Sequence, residues 1–529
     1  MTSISTNNWD TAFGIKFRDA NATIVAQKSS PASFNGSHAV IGGAIDVTGT
    51  FGDWRMSGGS GSLLHMTVPI TAGTVSGAGL PQASYAGSAI IQISLGFIPQ
   101  AGQTTVNKLK VDTAAPASVL GLTLSSGPAD ASDAIQGALG DWLNANLRQF
   151  NHVFAAVDIN TAVDTGDFAW LQPTYLGYAI WTENIASVDD YLFGVLAMTE
   201  GRSGSRLSPE LDPAIIPAGC DAGFLIAPTC VMRQLFEPHV EILFKDDTPA
   251  SFDYMDDGMT LYNTTPLGLP DFTLSNGEKV TDATINADGF NLAIGTGSVI
   301  ISFTGMSFTY KTGYTVTVDY RSVNAMGTDS DGHLQLTQTG VPTVSMNISE
   351  SSGEKWKDIL VSVGISLGAA IVGAVCGGLL EAGLAARAAA TAVSAGVDAS
   401  IDGVVGIELD AVVDAMTPEE QMESDIAALK QAVTELENPD AVTSFKGFFK
   451  TNGAKLLGAV VGAAAGGGLS SIPIILDGYA EDDKDNMPTL DAFAANAIGS
   501  TQWAQGTSYK LTSAALNSSL QLGLVAVKT

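Results

Sequence analysis

ILVSVGISLGAAIVGAVCGGLL, from Ile359 to Leu380, and LLGAVVGAAAGGGLSSIPIIL, from Leu456 to Leu476, are two uncharged apolar runs of 22 and 21 residues. Whether they cross a membrane or lie inside a folded domain decides how the other residues are read. By length each passes for a membrane-spanning helix, which needs about 20 apolar residues. Each also carries five glycines, which cost a water-exposed helix about 4 to 5 kcal/mol of propensity in sum. Gly364 to Gly368, Gly373 to Gly377, Gly458 to Gly462 and Gly462 to Gly466 are small-xxx-small steps that bare one helix face and let a second backbone approach. Two environments reward that approach: a bilayer, or a protein interior that covers the helices on all sides.

The rest of the chain bounds the choice. Its 529 residues, 45% hydrophobic and 15% charged with 58 glycines, suffice for two or more domains with full cores and many turns. Twenty-four Lys and Arg against 54 Asp and Glu leave a formal charge of -30, which disfavours nucleic acid and bare anionic membrane at long range. Cys220, Cys230 and Cys376 are too few for a disulfide framework and read as reduced thiols. The start, MTSISTNNWDTAFGIKF, lacks a basic region followed by an apolar one. It carries no classical secretory signal, so a soluble protein is expected, cytoplasmic or exported by a non-classical route.

In chain order, Trp9 to about Leu124 is made of short alternating segments; Ile41 to Val47, Leu63 to Ile70, Ala89 to Ile98 and Val106 to Val111 read as strands, with SGGSGS and AGLPQAS as connections, of an antiparallel meander. Pro128 and Asp130 then open a helix. Ile135, Leu139, Trp142, Leu143, Leu147, Phe150, Val153 and Phe154 recur at three- and four-residue steps, which predicts one apolar stripe over about six or seven turns. Strands return at Ala155 to Ile159, Phe168 to Trp181 and Tyr191 to Met198. A second helix starts near Pro228, with Val231, Met232, Leu235, Phe236, Val240 and Leu243 on one face. From Thr248 to Ile348 alternation is clearest, as in SVIISFTGMSFTYKTGYTVTVDYRS, and predicts a second antiparallel sheet. Thr417, Pro418 and Glu420 open a polar helix between the two apolar runs, and SYKLTSAALNSSLQLGLVAV closes the chain in strands. The fold class is therefore α+β, in two halves of similar plan, residues 1–247 and 248–529, the second including a helical region at 354–476.

Chemistry-bearing motifs are sparse. His38, His65, His152, His239 and His333 are scattered and make no HExxH. DYMDDG at Asp253 and TDSDGH at Thr328 read as acidic turns, without the spacing and terminal glutamate of a calcium loop. There is no GxSxG. No catalytic residue, metal or cofactor is expected. Aromatic and basic residues border the apolar runs: Trp356 between Lys355 and Lys357, and Phe445, Lys446, Phe448, Phe449 and Lys450 before the second. A membrane interface selects such residues, so these are candidate membrane contacts. The alternative is rings packed on a sheet with lysine stems laid over apolar surface. Three lysines attract an anionic leaflet by only about 3 kcal/mol, so any membrane contact is conditional.

NNWDTAF (7–13), WLNANLRQFNHVFAAVDI (142–159), YLFGVLAMTE (191–200), FLIAPTCVMRQLFEP (224–238) and SLQLGL (519–524) occur in an order that resembles the forty-seven-kilodalton protein family of clostridial neurotoxin gene clusters, within the tubular lipid-binding (TULIP) superfamily. The resemblance runs along most of the chain. It implies two TULIP-like subdomains, each a long helix wrapped by a strongly curved antiparallel sheet, with an apolar interior suited to a lipid. It makes Ile135 to Phe154 the wrapped helix of the first half and the Gly/Ala-rich run that of the second. Ile135, Leu139, Trp142, Leu143, Phe150 and Phe154 become the candidate lining of a ligand cavity. It also implies an accessory role in a toxin gene cluster, with a lipid or cluster proteins as partners and no catalysis. Two other readings stand beside it: a membrane-inserting effector using a glycine-rich helical hairpin, and a structural or chaperone-like protein partner with a closed core.

Overall fold

A computed structural model describes residues 3–100, 102–158, 169–237, 251–269, 272–273, 279–310, 314–328, 334–339, 343–348, 501–503 and 508–527, with 240, 244 and 498 singly. Both apolar runs, the helix opened by Thr417 and Pro418, and the candidate membrane contacts Trp356, Phe445, Lys446, Phe448, Phe449 and Lys450 lie outside the described residues. The chain divides into two compact units. One holds Ile4–Leu225, Ala494–Thr512 and Leu522–Thr529, and the other Met1–Ser3, Ile226–Phe493 and Ser513–Gln521.

In the first unit, β1 (Thr11–Lys16) runs into α1 (Phe17–Gln27). Then come β2 (Ser33–Val40), β3 (Gly43–Phe51), β4 (Arg55–Ser60), β5 (Leu63–Gly77), β6 (Leu80–Gln100), β7 (Gln103–Val111) and β8 (Ser118–Ser126). α2 (Ser132–Asn146) separates these from β9 (Ala155–Asp158), β10 (Tyr175–Trp181), β11 (Leu192–Met198) and β12 (Ala222–Ile226). The larger sheet has the order β2-β3-β5-β6-β7-β9, with the short strand Thr501–Trp503 beyond β9. Its centre is the long β5–β6 hairpin, and both strands change partner along their length. β5 meets β4 through Leu63 to Thr67 and β3 through Ile70 to Gly77. β6 meets β8 through Ala86 to Gln92 and β7 through Leu95 to Gln100. Register shifts at Ile70/Gly73, Val75/Gly77 and Ala86/Gly87 bend and twist the ribbon, as bulges do.

Alternate residues of these strands point to one face. Leu64, Met66, Val68 and Ile70 on β5, with Ala89, Ile91, Ile93 and Leu95 on β6, are all buried. α2 lies against β2, β3 and β8. Its approach to β2 needs two glycines: a Cβ at Gly36 would stand 3.0 Å from Ala138 O, and one at Gly137 2.6 Å from the His38 ring. The second sheet runs β10-β11-β1-β12. Tyr178 of β10 ties it to the first sheet, accepting a hydrogen bond from Leu95 N at 2.7 Å and donating to Ser62 O.

In the other unit the antiparallel strands Phe252–Met255, Thr260–Asn263, Phe290–Gly295, Ser298–Tyr310 and Tyr314–Thr328 pair in sequence. The last also pairs Leu334–Gln338 and Thr343–Ile348 along its far edge. Phe290, Ile301, Phe303, Met306, Phe308 and Val318 are buried, and Tyr320 stacks on Phe303 at 5.1 Å. The alternation from Thr248 to Ile348 is thus a sheet.

Several expectations change. The described chain is mainly β, and its two helices of more than ten residues, α1 and α2, are both short. The helix expected to reach Phe154 ends at Asn146, because Asn144 and Asn146 turn their amides onto helix carbonyls. Asn146 Nδ2 donates to Trp142 O at 3.0 Å; Asn144 Nδ2 donates to Gly140 O at 2.9 Å and Ala117 O at 3.0 Å. Such side-chain bonds compete with the helical ladder. Leu147–Gln149 then makes one 3-10 turn, and Phe154 N donates to Leu109 O, already edging into the sheet.

α1 falls where only strands are expected. Phe17, Ala20 and Ile24 are its buried stripe, and Lys28, with φ 49, ends it in the left-handed conformation. SGGSGS is largely β4, and AGLPQAS is a turn only at Ala78 and Gly79. Ile41 belongs to the β2–β3 turn, and β10 begins at Tyr175, after a 3-10 turn at Ala169–Leu171. The helix near Pro228 makes one α turn, Pro228–Cys230, before Val231–Phe236 takes π-type hydrogen bonding. No helix among the described residues is long and apolar enough to cross a membrane.

Candidate functional site

The inner face of α2 opens on a chain of aromatic rings. Phe34 and Phe51 stack at 5.1 Å, Phe51 meets Trp142 and Trp54 at 5.5 Å, Trp54 meets Phe150 at 4.9 Å, and Phe154 meets Phe193 at 5.6 Å. The six residues expected to line a cavity all come together here. Ile135, Leu139, Trp142 and Leu143 project from α2, while Phe150 and Phe154 are delivered by the extended segment after it. Ile135, Leu139 and Leu143 are 0% exposed, Phe150 and Phe154 2%, and Trp142 8%. Sequence reading missed the other side of the cluster, Phe34, Phe51 and Trp54. The signal for it is the aromatic spacing in TFGDW, residues 50–54.

NNWDTAF forms a second centre. Trp9, 2% exposed, donates through Nε1 to Ser208 O at 3.0 Å and stacks on Tyr175. Its indole lies between Gly177 and Gly204, where a Cβ would stand 2.7 and 2.6 Å from it. Asp10 Oδ2 accepts from Thr199 N at 2.7 Å and Thr199 Oγ1 at 3.2 Å, and pairs with Arg202 Nη2 at 3.0 Å. These contacts hold a strap, residues 199–219, across β11, β1 and β12. Leu211 sits over Gly194, and Ile215 over Gly14 and Gly223, the three glycines flooring a trough in adjacent strands.

A Cβ at Gly194 would lie 2.7 Å from Leu211 Cδ2 and 3.0 Å from Phe13 O. Gly194→Val should therefore cost about 1 to 3 kcal/mol by overpacking and lift the strap. Trypsin should then cut at the exposed Arg206 faster than in the parent chain, and equal cutting rates would contradict the packing described.

The remaining candidates have structural partners. Of the stretch Asp253 to Gly258, expected as an acidic turn, the first three residues end the strand Phe252–Met255 and Asp256–Gly258 makes a 3-10 turn, in which Asp256 Oδ2 accepts from Thr260 Oγ1 at 3.2 Å. Tyr254 donates to Glu237 and lies under Arg233 at 5.9 Å; burial raises the Glu237 carboxyl above its ordinary value. Cys220 and Cys230 are both buried, and Cys220 Sγ lies 3.5 Å from Thr512 Oγ1. Among the described residues no group of three or more His, Cys, Asp or Glu could hold a metal ion. His239 and His333 lie outside them.

The family described as OrfX-like, Protein OrfX2/OrfX3/P47, matches residues 6–458. A protein OrfX3 of Paraclostridium bifermentans is 28% identical over 285 residues, 47% of this chain and 57% of the relative. A protein OrfX3 of Clostridium botulinum (strain Kyoto / Type A2) is 24% identical over 321 residues, 54% of this chain and 64% of the relative. The chain thus spans less than two thirds of either curated relative. The solved structure of P47 from Clostridium botulinum A2 matches with a TM-score of 0.52 at 15% identity, covering 70% of this chain and 89% of that one. That likeness is one of fold.

Proposed function

Because the chain belongs to the OrfX-like (Protein OrfX2/OrfX3/P47) family, we propose that it is a non-enzymatic accessory protein of a toxin gene cluster that works by binding another protein of the cluster. The observation supporting this is the packed ring cluster under α2, where Phe51, Trp54, Trp142 and Phe150 are each 0 to 8% exposed and stand ring to ring. A packed core supports rigid display of an outer surface. The acidic charge and the want of a catalytic constellation in the sequence agree with a binding role. The test is sedimentation velocity of the purified chain mixed with each protein encoded beside it. A complex of defined stoichiometry with at least one is expected, and no complex with any of them would remove the proposal.

A second reading keeps the lipid. The buried indole N–H of Trp54, at Nε1, has no hydrogen-bond acceptor among the described residues, and such orphans call for an explanation. A ligand carbonyl would supply an acceptor, with the acyl chain displacing the rings between α2 and the sheet. Uptake of a fluorescent fatty acid that is quenched by Trp54, and lost in Trp54→Phe, would favour this reading.

A further inference from the structure

His152 lies in the segment that carries the chain from α2 to β9, and it is the one imidazole of the described residues that is fully buried, at 0% exposure. Its Nδ1 is 2.9 Å from Ser29 Oγ and its Nε2 3.4 Å from Thr23 Oγ1. Both hydroxyls belong to α1 and its C-terminal turn. Each already donates to a carbonyl, Ser29 to Ile24 O and Thr23 to Ala20 O, so each presents lone pairs to the ring. Phe150 stacks on one side of the imidazole and Phe154 meets it edge-on at 4.7 Å. Trp54 in turn packs on Phe150. One side chain therefore joins α1, the segment 150–154 and the ring cluster beneath α2.

We infer that His152 is an acid-sensitive latch, whose protonation frees residues 150–154 from α1 and loosens the ring cluster under α2. The neutral ring satisfies Ser29 with its Nδ1–H. A second proton would add a donor toward Thr23 but would bring a positive charge into a pocket that offers acceptors and no counter-charge. The charged groups on the neighbouring elements are Arg18, Asp19 and Lys28 on α1 and its end, Asp53 and Arg55 beside Trp54, Arg148 after α2, and Asp158 on β9. None of them is among the partners of the ring, and burial alone lowers the imidazole from 6.5 to about 4. A cation buried without a partner is costly, so the charged state is relieved by opening.

The sign follows from linkage. The unfolded chain takes its proton near pH 6.5 and the folded chain only near 4, so between these values the open state binds more protons. The stabilisation from the neutral latch is complete above about pH 6.5, declines as pH falls through that window, and is gone below about 4. Across it the open-to-closed ratio of this contact should rise by up to about 300-fold.

Hydrogen exchange of the whole chain, read on peptides covering 147–158 and 20–30 and corrected for intrinsic rates, tests this. Protection in both should fall together between pH 6.5 and 4.5 in the parent chain, and the fall should be absent in His152→Asn. Unchanged protection in the parent, or the same pH-dependent loss in His152→Asn, overturns the inference. Should that variant fold poorly, the imidazole resonance of His152 in the parent decides it: titration below about pH 5 is expected, and titration at 6 or above overturns it.

Discussion

Replacing Trp54 by alanine should lower the stability of the first unit by about 3 to 5 kcal/mol, as large-to-small changes at fully buried aromatic positions do. Trp54 is 0% exposed and is the ring on which two parts of the core meet. It stands edge-on to Phe51 at 5.5 Å from the β3 side and lies 4.9 Å from Phe150 on the segment after α2. Its backbone N–H donates to Ser30 Oγ at 2.9 Å, which fixes the residue's place beside α1. Removing the indole empties the space between Phe51 and Phe150, which belong to different elements and cannot both close on it. Urea unfolding followed by tryptophan fluorescence and far-ultraviolet circular dichroism measures the loss. A cost under about 1 kcal/mol would mean that the interior had room to spare, contrary to a close-packed core. Trp54→Phe, which keeps a ring, should cost less than the alanine change.

The second large effect is expected at Asp10. Its carboxylate is 3% exposed and holds Arg202, itself 32% exposed, while accepting the backbone N–H and hydroxyl of Thr199. Asp10→Ala leaves that buried N–H without its acceptor and half of the Arg202 charge without its partner. Removing one member of a buried, hydrogen-bonded pair costs about 3 to 5 kcal/mol; because Arg202 retains Glu200 at 2.8 Å and partial access to water, the lower end is expected. Asp10→Asn keeps an acceptor for Thr199 and should lose about half as much. The readout is the urea midpoint together with trypsin cleavage at Arg206, since both the fold and the strap depend on this carboxylate. If Asp10→Ala cut no faster than the parent, the strap would be held by Leu211 and Ile215 alone.

How far the sequence announces this structure differs from element to element. The sheet between Thr248 and Ile348 is legible because its central strands, Ser298–Tyr310 and Tyr314–Thr328, are long and alternate, with one face packed, as Val299, Ile301 and Phe303 show. The inner face of α2 is legible for the same reason: Ile135, Leu139, Trp142 and Leu143 recur at helical spacing and are all buried. The stripe misleads at its far end. Phe150 and Phe154 are just as buried, but an extended segment delivers them, and periodicity cannot tell a helical delivery from a looped one. Of the two amides at the helix end, that of Asn144 is held in part by a tertiary partner, Ala117, which local sequence does not reveal.

α1 hides because its β-branched Thr23, Ile24 and Val25 suit a strand as well as a helix. The trough under the strap hides for a different reason. Gly14, Gly194 and Gly223 are far apart in sequence, and their common purpose exists only once β11, β1 and β12 are side by side. The same holds for Gly177 and Gly204 around Trp9. NNWDTAF is therefore recognisable as a motif from its letters, whereas its task, fastening residues 199–219 through Trp9 and Asp10, is readable only in three dimensions.

The most direct test of the closed interior, and so of a protein rather than a lipid as the ligand, is native mass spectrometry of the purified chain with parallel extraction in organic solvent. The account predicts a mass equal to that of the 54.4 kDa polypeptide alone and no lipid in molar proportion to it. A population carrying one lipid per chain through gel filtration, released only on unfolding, would contradict it.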